Sequence, residues 1–277
     1  MALSQQPGEC WRFIDSGFID GRSNMAIDEA IALAAASGRI PPTLRVYGWM
    51  PPAISLGFHQ SIDDIDLRLC EKEGIDVVFR PTGGRAILHA EELTYAVILP
   101  ADSKHYHKGI LPVYDLISRA LLAVLQLLGI NASFDRASAT PKDFMRGELS
   151  TLCYATSIQH EIGYQGKKLV GSAQRRFEGA LLQHGSILIG QRHLDIAKYL
   201  SRGDERRRHA IRRYMQEHTI SLNELSEQPL HYTQISKAMR NGFSQELGIS
   251  WMDGELTQQE LVMADELREK TNRPRKP

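Results

Sequence analysis

The run Leu93–Leu99, LTYAVIL, carries no charge and is long and apolar enough to lie at the centre of a β-sheet. Soon after it comes the clearest helix in the chain. From Val113, the apolar residues Leu116, Ile117, Ala120, Leu121, Val124, Leu125 and Leu128 recur at helical spacing up to Gly129. Shorter elements precede this pair. Trp11–Ile14, Leu44–Trp49, Ala53–Gly57 and Asp76–Arg80 read as strands, with Met50-Pro51-Pro52 as a turn between the second and third. Asn24–Ala36 reads as a helix capped by Asn24, and Asp63–Glu73 as a helix stopped by Gly74.

After a polar loop, Arg136–Leu149, the segments Ile158–Tyr164 and Lys167–Phe177 form a hairpin around Gln165-Gly166, and Leu181–Ile189 adds a strand. Beyond Gly190 the chain reads as helical and charged, from Leu194 to Lys270. No repeat or low-complexity linker divides it. The expectation is a single α+β domain over residues 1–277, with a core of about 11–250, a helical C-terminal region and a disordered tail at 271–277.

Charge narrows the function. Lys+Arg and Asp+Glu both number 33, so the chain lacks the basic excess of a nucleic-acid or membrane-surface binder, and neither partner is expected. No apolar run approaches bilayer-spanning length, because the longest, Ala120–Ile130, is interrupted by Gln126. The N-terminus, MALSQQPGECWRF, lacks a basic stretch followed by an apolar one, so no secretory signal is expected. Three widely spaced cysteines, Cys10, Cys70 and Cys153, fit reduced thiols in a cytoplasmic protein and give no metal-site spacing.

Chemistry concentrates in three segments. In RPTGGRAILH, adjacent glycines Gly83 and Gly84 let backbone approach a ligand with amide N–H groups free, and Arg80 and Arg85 flank them beside Thr82. The ordinary alternative is a glycine turn with solvated arginines; the loop matches neither the P-loop nor the dinucleotide-binding pattern. In GKKLVGSAQ, the small residues Gly171, Ser172 and Ala173 interrupt a strand, which marks a close approach. Strand alternation turns one of the neighbouring lysines inward, and Lys168 facing a pocket needs an anionic group; most such lysines are solvated at a turn instead. Cys153 alone reads as a small buried hydrophobe, as Cys70 does within LRLCEKEGI. Beside the Lys168 ammonium, however, its thiolate would be favoured and it would become a nucleophile. His89 and His184 each follow an apolar strand and stand either at a pocket rim or as hydrogen-bonded core residues. The run Glu205–Arg213 is a solvated helix face or a surface for an acidic partner.

These residues together resemble the biotin/lipoate A/B protein ligase family, and within it the octanoyltransferases. The match is carried by Trp11–Gly17, Asn24-Met25-Ala26 with Asp28-Glu29-Ala30, Tyr47-Gly48-Trp49, RPTGGRAILH, Glu92–Tyr95, GKKLVGSAQ and LLQHGSIL, in order through about the first 190 residues. The resemblance implies a biotin/lipoate protein ligase-like fold with mixed sheets flanked by helices. It also implies transfer of octanoate from octanoyl-acyl carrier protein to a lysine of a lipoyl domain, with the glycine cleavage H protein as acceptor. The family's acyl-thioester cysteine falls on Cys153, and the lysine that lowers its pKa falls on Lys168, 15 positions later (168 − 153). The glycine loop and the Gly171–Ala173 strand are then expected to line the acyl pocket. A thioester donor is already activated, so no cofactor is expected.

Two related activities stay open at this level: an amidotransferase that moves octanoate from H protein to other lipoyl domains, and an ATP-dependent lipoate ligase. The ligases carry an Asn-Asp pair around the position of Cys153 and a third glycine where this chain has Arg85. A module that binds an acyl group or a lipoyl domain without chemistry is the alternative outside catalysis. Lys168 and a histidine such as His89 are both candidates to deprotonate the acceptor lysine.

Overall fold

A computed structural model of the chain describes residues 8–38, 40–135 and 161–270. Its centre is an eight-stranded mixed sheet. The order is β11 (Ser250–Asp253), β1 (Cys10–Ile19), β2 (Thr43–Trp49), β6 (Glu92–Pro100), β10 (Ala180–Leu188), β9 (Lys167–Phe177), β8 (Glu161–Tyr164) and β7 (Ser133–Asp135). β1 runs parallel to both β11 and β2, and the remaining pairings in this sheet are antiparallel. A second sheet holds β4 (Asp76–Phe79), β3 (Ala53–Leu56) and β5 (Ile87–His89) in that order. This is the mixed α+β architecture expected from the alternation of apolar runs.

The LTYAVIL segment lies in β6, between β2 and β10, and is buried along its length. Successive strand residues point to opposite faces. Leu93, Tyr95, Val97 and Leu99 therefore enter one core with α3 (Ile110–Leu127), while Ala96 and Ile98 enter another with α1 (Gly21–Ala36). By length and composition α3, with a mean hydropathy of 1.6, is apolar enough to cross a membrane, contrary to the sequence expectation. Its Val113, Leu116, Ile117, Ala120, Leu121, Val124 and Leu125 are instead buried in the sheet core. Each large aliphatic side chain so buried contributes about 1.5–3 kcal/mol.

Other boundaries shifted for local reasons. Asp20, not Asn24, caps α1 by accepting from the Ser23 amide; Asn24 sits one turn further in and is fully buried. The Gln165-Gly166 turn has φ of 51° and 79°, the left-handed pair a tight hairpin needs.

The C-terminal region is not helical throughout. β11 adds an edge strand to β1, α6 (Tyr232–Leu247) packs on α3, and α7 (Gln258–Arg268) packs on α1. Buried Glu260 of α7 accepts from Arg12 of β1 at 2.6 and 2.9 Å in a two-pronged ion pair. β11 escapes a sequence reading because a four-residue edge strand, mostly exposed, has no apolar alternation to betray it.

The α3–α6 crossing depends on Gly242. A Cβ there would lie 2.6 Å from the Val124 side chain and 2.7 and 2.9 Å from its backbone N and Cα, so nothing flexible can yield. Gly242→Val is expected to destabilise the protein by about 1–3 kcal/mol through overpacking, which exceeds the few tenths gained in helix propensity. Urea unfolding measures this; an unchanged midpoint would show that the two helices tolerate separation.

Candidate active site

Buried carboxylates need partners, and two of them organise the space between the large sheet, α1 and the small sheet. Asp28, on the inner face of α1, accepts from Arg45 Nη1 at 2.6 Å, from the Tyr47 hydroxyl at 2.7 Å and from His184 Nδ1 at 3.0 Å. Arg45 is satisfied further by the Asn24 side chain, the Asn24 carbonyl and the Ser16 hydroxyl. Burial pushes the Asp28 carboxyl up, but Arg45, His184 and Tyr47 outweigh it and hold Asp28 below the usual carboxylate range. Glu92, at the start of β6, accepts at one oxygen from Thr94 and Ser186 hydroxyls at 2.6 Å and from His89 Nδ1 at 2.7 Å. It too stays ionised: these contacts, His89 foremost, overcome the burial that would raise it.

Ionised carboxylates fix both histidine tautomers. With Nδ1–H donating to Asp28, His184 Nε2 accepts from the Thr82 hydroxyl at 2.6 Å. Burial depresses the His184 pKa, which keeps the ring neutral. With Nδ1–H donating to Glu92, His89 Nε2 accepts from the Ser55 hydroxyl at 2.7 Å. The His89 ring is stacked on Trp49, centroids 4.0 Å apart and planes at 11°, and Trp49 Nε1 donates to Thr94 at 2.7 Å.

Against this network lies a cavity of about 440 Å³, within the range of small-ligand sites. Tyr47, Trp49, Ile87 and Met25 form one apolar wall, and Ile110, Leu111 and Tyr114 at the start of α3 form another. Ile110 and Leu111 are exposed, so an apolar lip faces solvent. Gly171, Ser172, Ala173 and Gly185 line a stretch with little side-chain bulk. A Cβ on Gly185 would meet the Gly171 carbonyl at 2.3 Å and the Tyr95 ring at 2.9 Å, so only glycine allows β9 and β10 to pass here.

Lys168 enters the same cavity from β9 and is buried; its Nζ donates to Glu161 Oε1 at 2.5 Å, and Glu161 is buried as well. The β8–β9 register shifts between Ile162 and Gly163, next to this pair. Such an irregularity re-aims side chains. Lys167, the neighbouring lysine, is only partly buried and donates to the Gln216 carbonyl.

Of the residues singled out in the sequence, Arg80, Gly83, Gly84, Arg85, His89, Lys168, Gly171, Ser172, Ala173 and His184 line this one cavity. Thr82 does not line it and lies buried behind His184. The Arg80 guanidinium donates to the Gly83, Arg85 and Ser55 carbonyls and to the Ser55 hydroxyl, and so clamps the glycine loop. Both histidines combine the two roles open to them: buried, hydrogen-bonded and on the wall. Cys153 and the polar loop before it lie outside the described residues.

Sequence reasoning passed over Ser55, Glu161 and the roles of Asp28 and Glu92. The available signal was a carboxylate embedded in an apolar face, as in Glu92 beside LTYAVIL and Asp28 among the alanines of α1. Ser55 within AISL offered none.

Three comparisons bear on this arrangement. The family model described as the lipoyl protein ligase A/B catalytic domain matches residues 20–244. Octanoyltransferase LipM of Kyrpidia tusciae is 36% identical over 263 residues, spanning 95% of this chain and 96% of that protein. Octanoyltransferase LipM of Bacillus subtilis is 35% identical over 266 residues, spanning 94% and 95%. In fold, the chain is similar to the bi-partite lipoate protein ligase of Thermoplasma acidophilum, with a TM-score of 0.75, 23% identity and coverage of 96% and 93%. It is also similar to a lipoate-protein ligase A bound with ATP, with a TM-score of 0.72, 23% identity and coverage of 96% and 95%.

Burial of neutral histidines sets an acid limit on stability. His193 is depressed to about 4 by burial, and His184 is lowered for the same reason. The unfolded chain takes up these protons near pH 6.5 and the folded one only below that, so stability is full above about 6.5 and falls as pH drops. For His193 the shift from 6.5 to about 4 corresponds to about 3 kcal/mol. Asp28 and Glu92 add a further loss below about pH 4, because their folded pKa values lie below the unfolded ones. Urea titrations at pH 7, 5.5 and 4 are expected to show this fall, and His193→Gln to flatten most of its upper part. A wild-type profile level from pH 7 to 4 contradicts the assignment.

Proposed function

The chain belongs to the lipoyl protein ligase A/B catalytic domain family, and on that premise we propose that it is an octanoyltransferase of lipoate biosynthesis. The donor in this reading is octanoyl-acyl carrier protein. The acceptor is a lysine of a lipoyl-domain protein such as the glycine cleavage H protein, and the group passes through a thioester on Cys153. The reaction is placed in the cytoplasm. One catalytic domain, 1–277, carries it.

The observation that carries the mechanism is Lys168: a buried side-chain amine paired with Glu161 on the wall of a mostly apolar cavity. Glu161 favours the ammonium form. An ammonium in that position favours a thiolate over a thiol in a cysteine brought beside it. In the chain, Cys153 precedes Glu161, the first residue of β8, by eight positions (161 − 153). The apolar walls suit an alkyl chain, and the small residues of β9 leave room for a carrier arm.

Cys153 attacks the donor carbonyl; the C–S bond to the carrier breaks, and the leaving thiolate takes a proton from Lys168. The acceptor amine then attacks the new thioester and passes a proton back to Lys168; an amide forms, the C–S bond breaks and the Cys153 thiolate is released. Because the donor thioester is already activated, this route needs neither nucleotide nor metal. Backbone N–H groups of the glycine loop or of Gly171-Ser172 are the oxyanion donors in this reading, worth about 3–4 kcal/mol each when aligned.

Intact mass after mixing with octanoyl carrier protein is expected to show one octanoyl adduct, placed on Cys153 by peptide mapping and passed on when unmodified H protein is added. Cys153→Ala is expected to lose adduct and transfer together; normal turnover by that variant overturns the mechanism. Lys168→Ala is expected to slow alkylation of Cys153 at neutral pH about tenfold for each pKa unit by which the thiol rises. An unchanged alkylation rate removes Lys168 from this role. Formation of lipoyl-AMP from ATP and free lipoate would instead mark an ATP-dependent ligase.

A further inference from the structure

Proton stoichiometry leaves one task unassigned. A thioester and an alkylammonium give a thiol, an amide and one free proton. Lys168 yields a proton to the leaving carrier thiol and regains one from the attacking amine, so it ends as it began. The acceptor lysine, with a pKa near 10.4, arrives as an ammonium and sheds two protons on its way to the amide. The second needs another acceptor in the same cavity.

Two carboxylate–histidine–hydroxyl relays stand there, and their surroundings separate them. In the first, Asp28 is bound to the buried Arg45 guanidinium as well as to Tyr47, so its charge is already compensated and an imidazolium at His184 would gain little. Its hydroxyl, on Thr82, does not face the cavity. In the second, the partners of Glu92 among the described residues are His89 and the hydroxyls of Thr94 and Ser186. Its negative charge is thus free to stabilise an imidazolium hydrogen-bonded at 2.7 Å. Both Ser55 and His89 line the cavity.

The direction of the second relay is set by Arg80. Its Nη1 donates to Ser55 Oγ at 3.0 Å, so the Ser55 proton must point elsewhere, and His89 Nε2 at 2.7 Å is the acceptor in line. One lone pair of Ser55 Oγ remains for a donor from the cavity. Arg80 reaches His89 only across the Ser55 hydroxyl, whereas Glu92 touches the ring directly; His184, the other histidine on the cavity wall, is held neutral by burial.

We propose that His89, acting through the Ser55 hydroxyl and braced by Glu92, accepts the second proton of the acceptor amine during acyl transfer. This rests on the acyl-thioester reading above. In the step, the N–H bond of the tetrahedral adduct breaks toward Ser55 Oγ as Ser55 passes its own proton to His89 Nε2. The C–S bond then breaks, with the electron pair leaving on Cys153. The imidazolium returns its proton through Ser55 to solvent once the product has left.

The test uses octanoyl-enzyme prepared from octanoyl carrier protein and freed of donor, followed in single turnovers with two nucleophiles. One is unmodified H protein, whose lysine is charged. The other is the free thiol of unacylated carrier protein, which reverses the loading step, sheds only the proton that Lys168 takes back and forms no N–H adduct. His89→Gln is expected to slow transfer to H protein about 10²-fold and to lower the H protein-to-carrier-thiol rate ratio at least about tenfold. Equal losses with both nucleophiles, or no loss, overturn the proposal. Ser55→Ala removes one oxygen from the relay, must show the same asymmetry, and carries the test if His89→Gln does not fold. A wild-type enzyme that never gains octanoyl on Cys153 overturns the proposal together with the reading beneath it, and that is seen before either nucleophile is added.

Discussion

The ion pair between Arg45 and Asp28, both fully buried, is the contact on which the site's geometry depends. Removing two charges from water costs several kcal/mol for each ion, and attraction offsets this only when the remaining donors and acceptors are also satisfied. Here they are satisfied by Asn24, Ser16, Tyr47 and His184. Because these bonds are directional, they fix α1 against β2 and β10 in one register, as apolar packing alone would not. α1 supplies Met25 to the cavity, β2 supplies Tyr47 and Trp49, and β10 supplies His184 and Ser186. The wall is therefore positioned by a charge pair that does not itself line the cavity.

The glycine loop joins the same system from the other side. Gly84 holds φ of 90°, a left-handed conformation, and its carbonyl would lie 2.0 Å from a Cβ on Gly57. Two backbone segments thus touch where any side chain would part them, and Arg80 ties the loop to β3 through Ser55. Thr82 extends the loop to His184 and so to Asp28. A shift of the loop would disturb both histidine relays at once. This makes the Arg80 guanidinium a clamp for the loop and not a cradle for an anion, since its donors already meet protein oxygens.

Much of this was legible in the chain because it follows from periodicity. The central β6 and the α3 helix could be read from LTYAVIL and the 113–125 spacing, because each buries enough apolar surface to leave a pattern. The Gln165-Gly166 turn was legible because it needs residues that accept positive φ. Strand alternation predicts that one of Lys167 and Lys168 turns inward, but it does not identify the partner Glu161. The two are seven positions apart and meet only through the hairpin and its register shift. Asn24 was read as a cap because asparagine favours that position; the demand of a buried guanidinium overrode the local preference. Pairings between distant segments, such as Ser55 with His89 or Thr82 with His184, leave no trace in local sequence.

The C-terminal region shows how a segment far from the cavity acts on it. Lys168 forms a parallel bridge with Thr219, and its carbonyl accepts from the Ile220 amide at 3.0 Å. On its other side, β9 pairs with Gly163 across the shifted register. The backbone of Lys168 is therefore gripped by β8 and by the chain leaving α4 (Glu205–His218), while its side chain is held by Glu161. A lysine has about 2 kcal/mol of rotamer entropy to lose when it is fixed. Anchoring the backbone on both sides, with a buried carboxylate at the far end, places that cost in folding and not in the encounter with substrate. The side chain is thus held in place before any acyl group arrives, which is the condition under which a polar group acts without reorganising first.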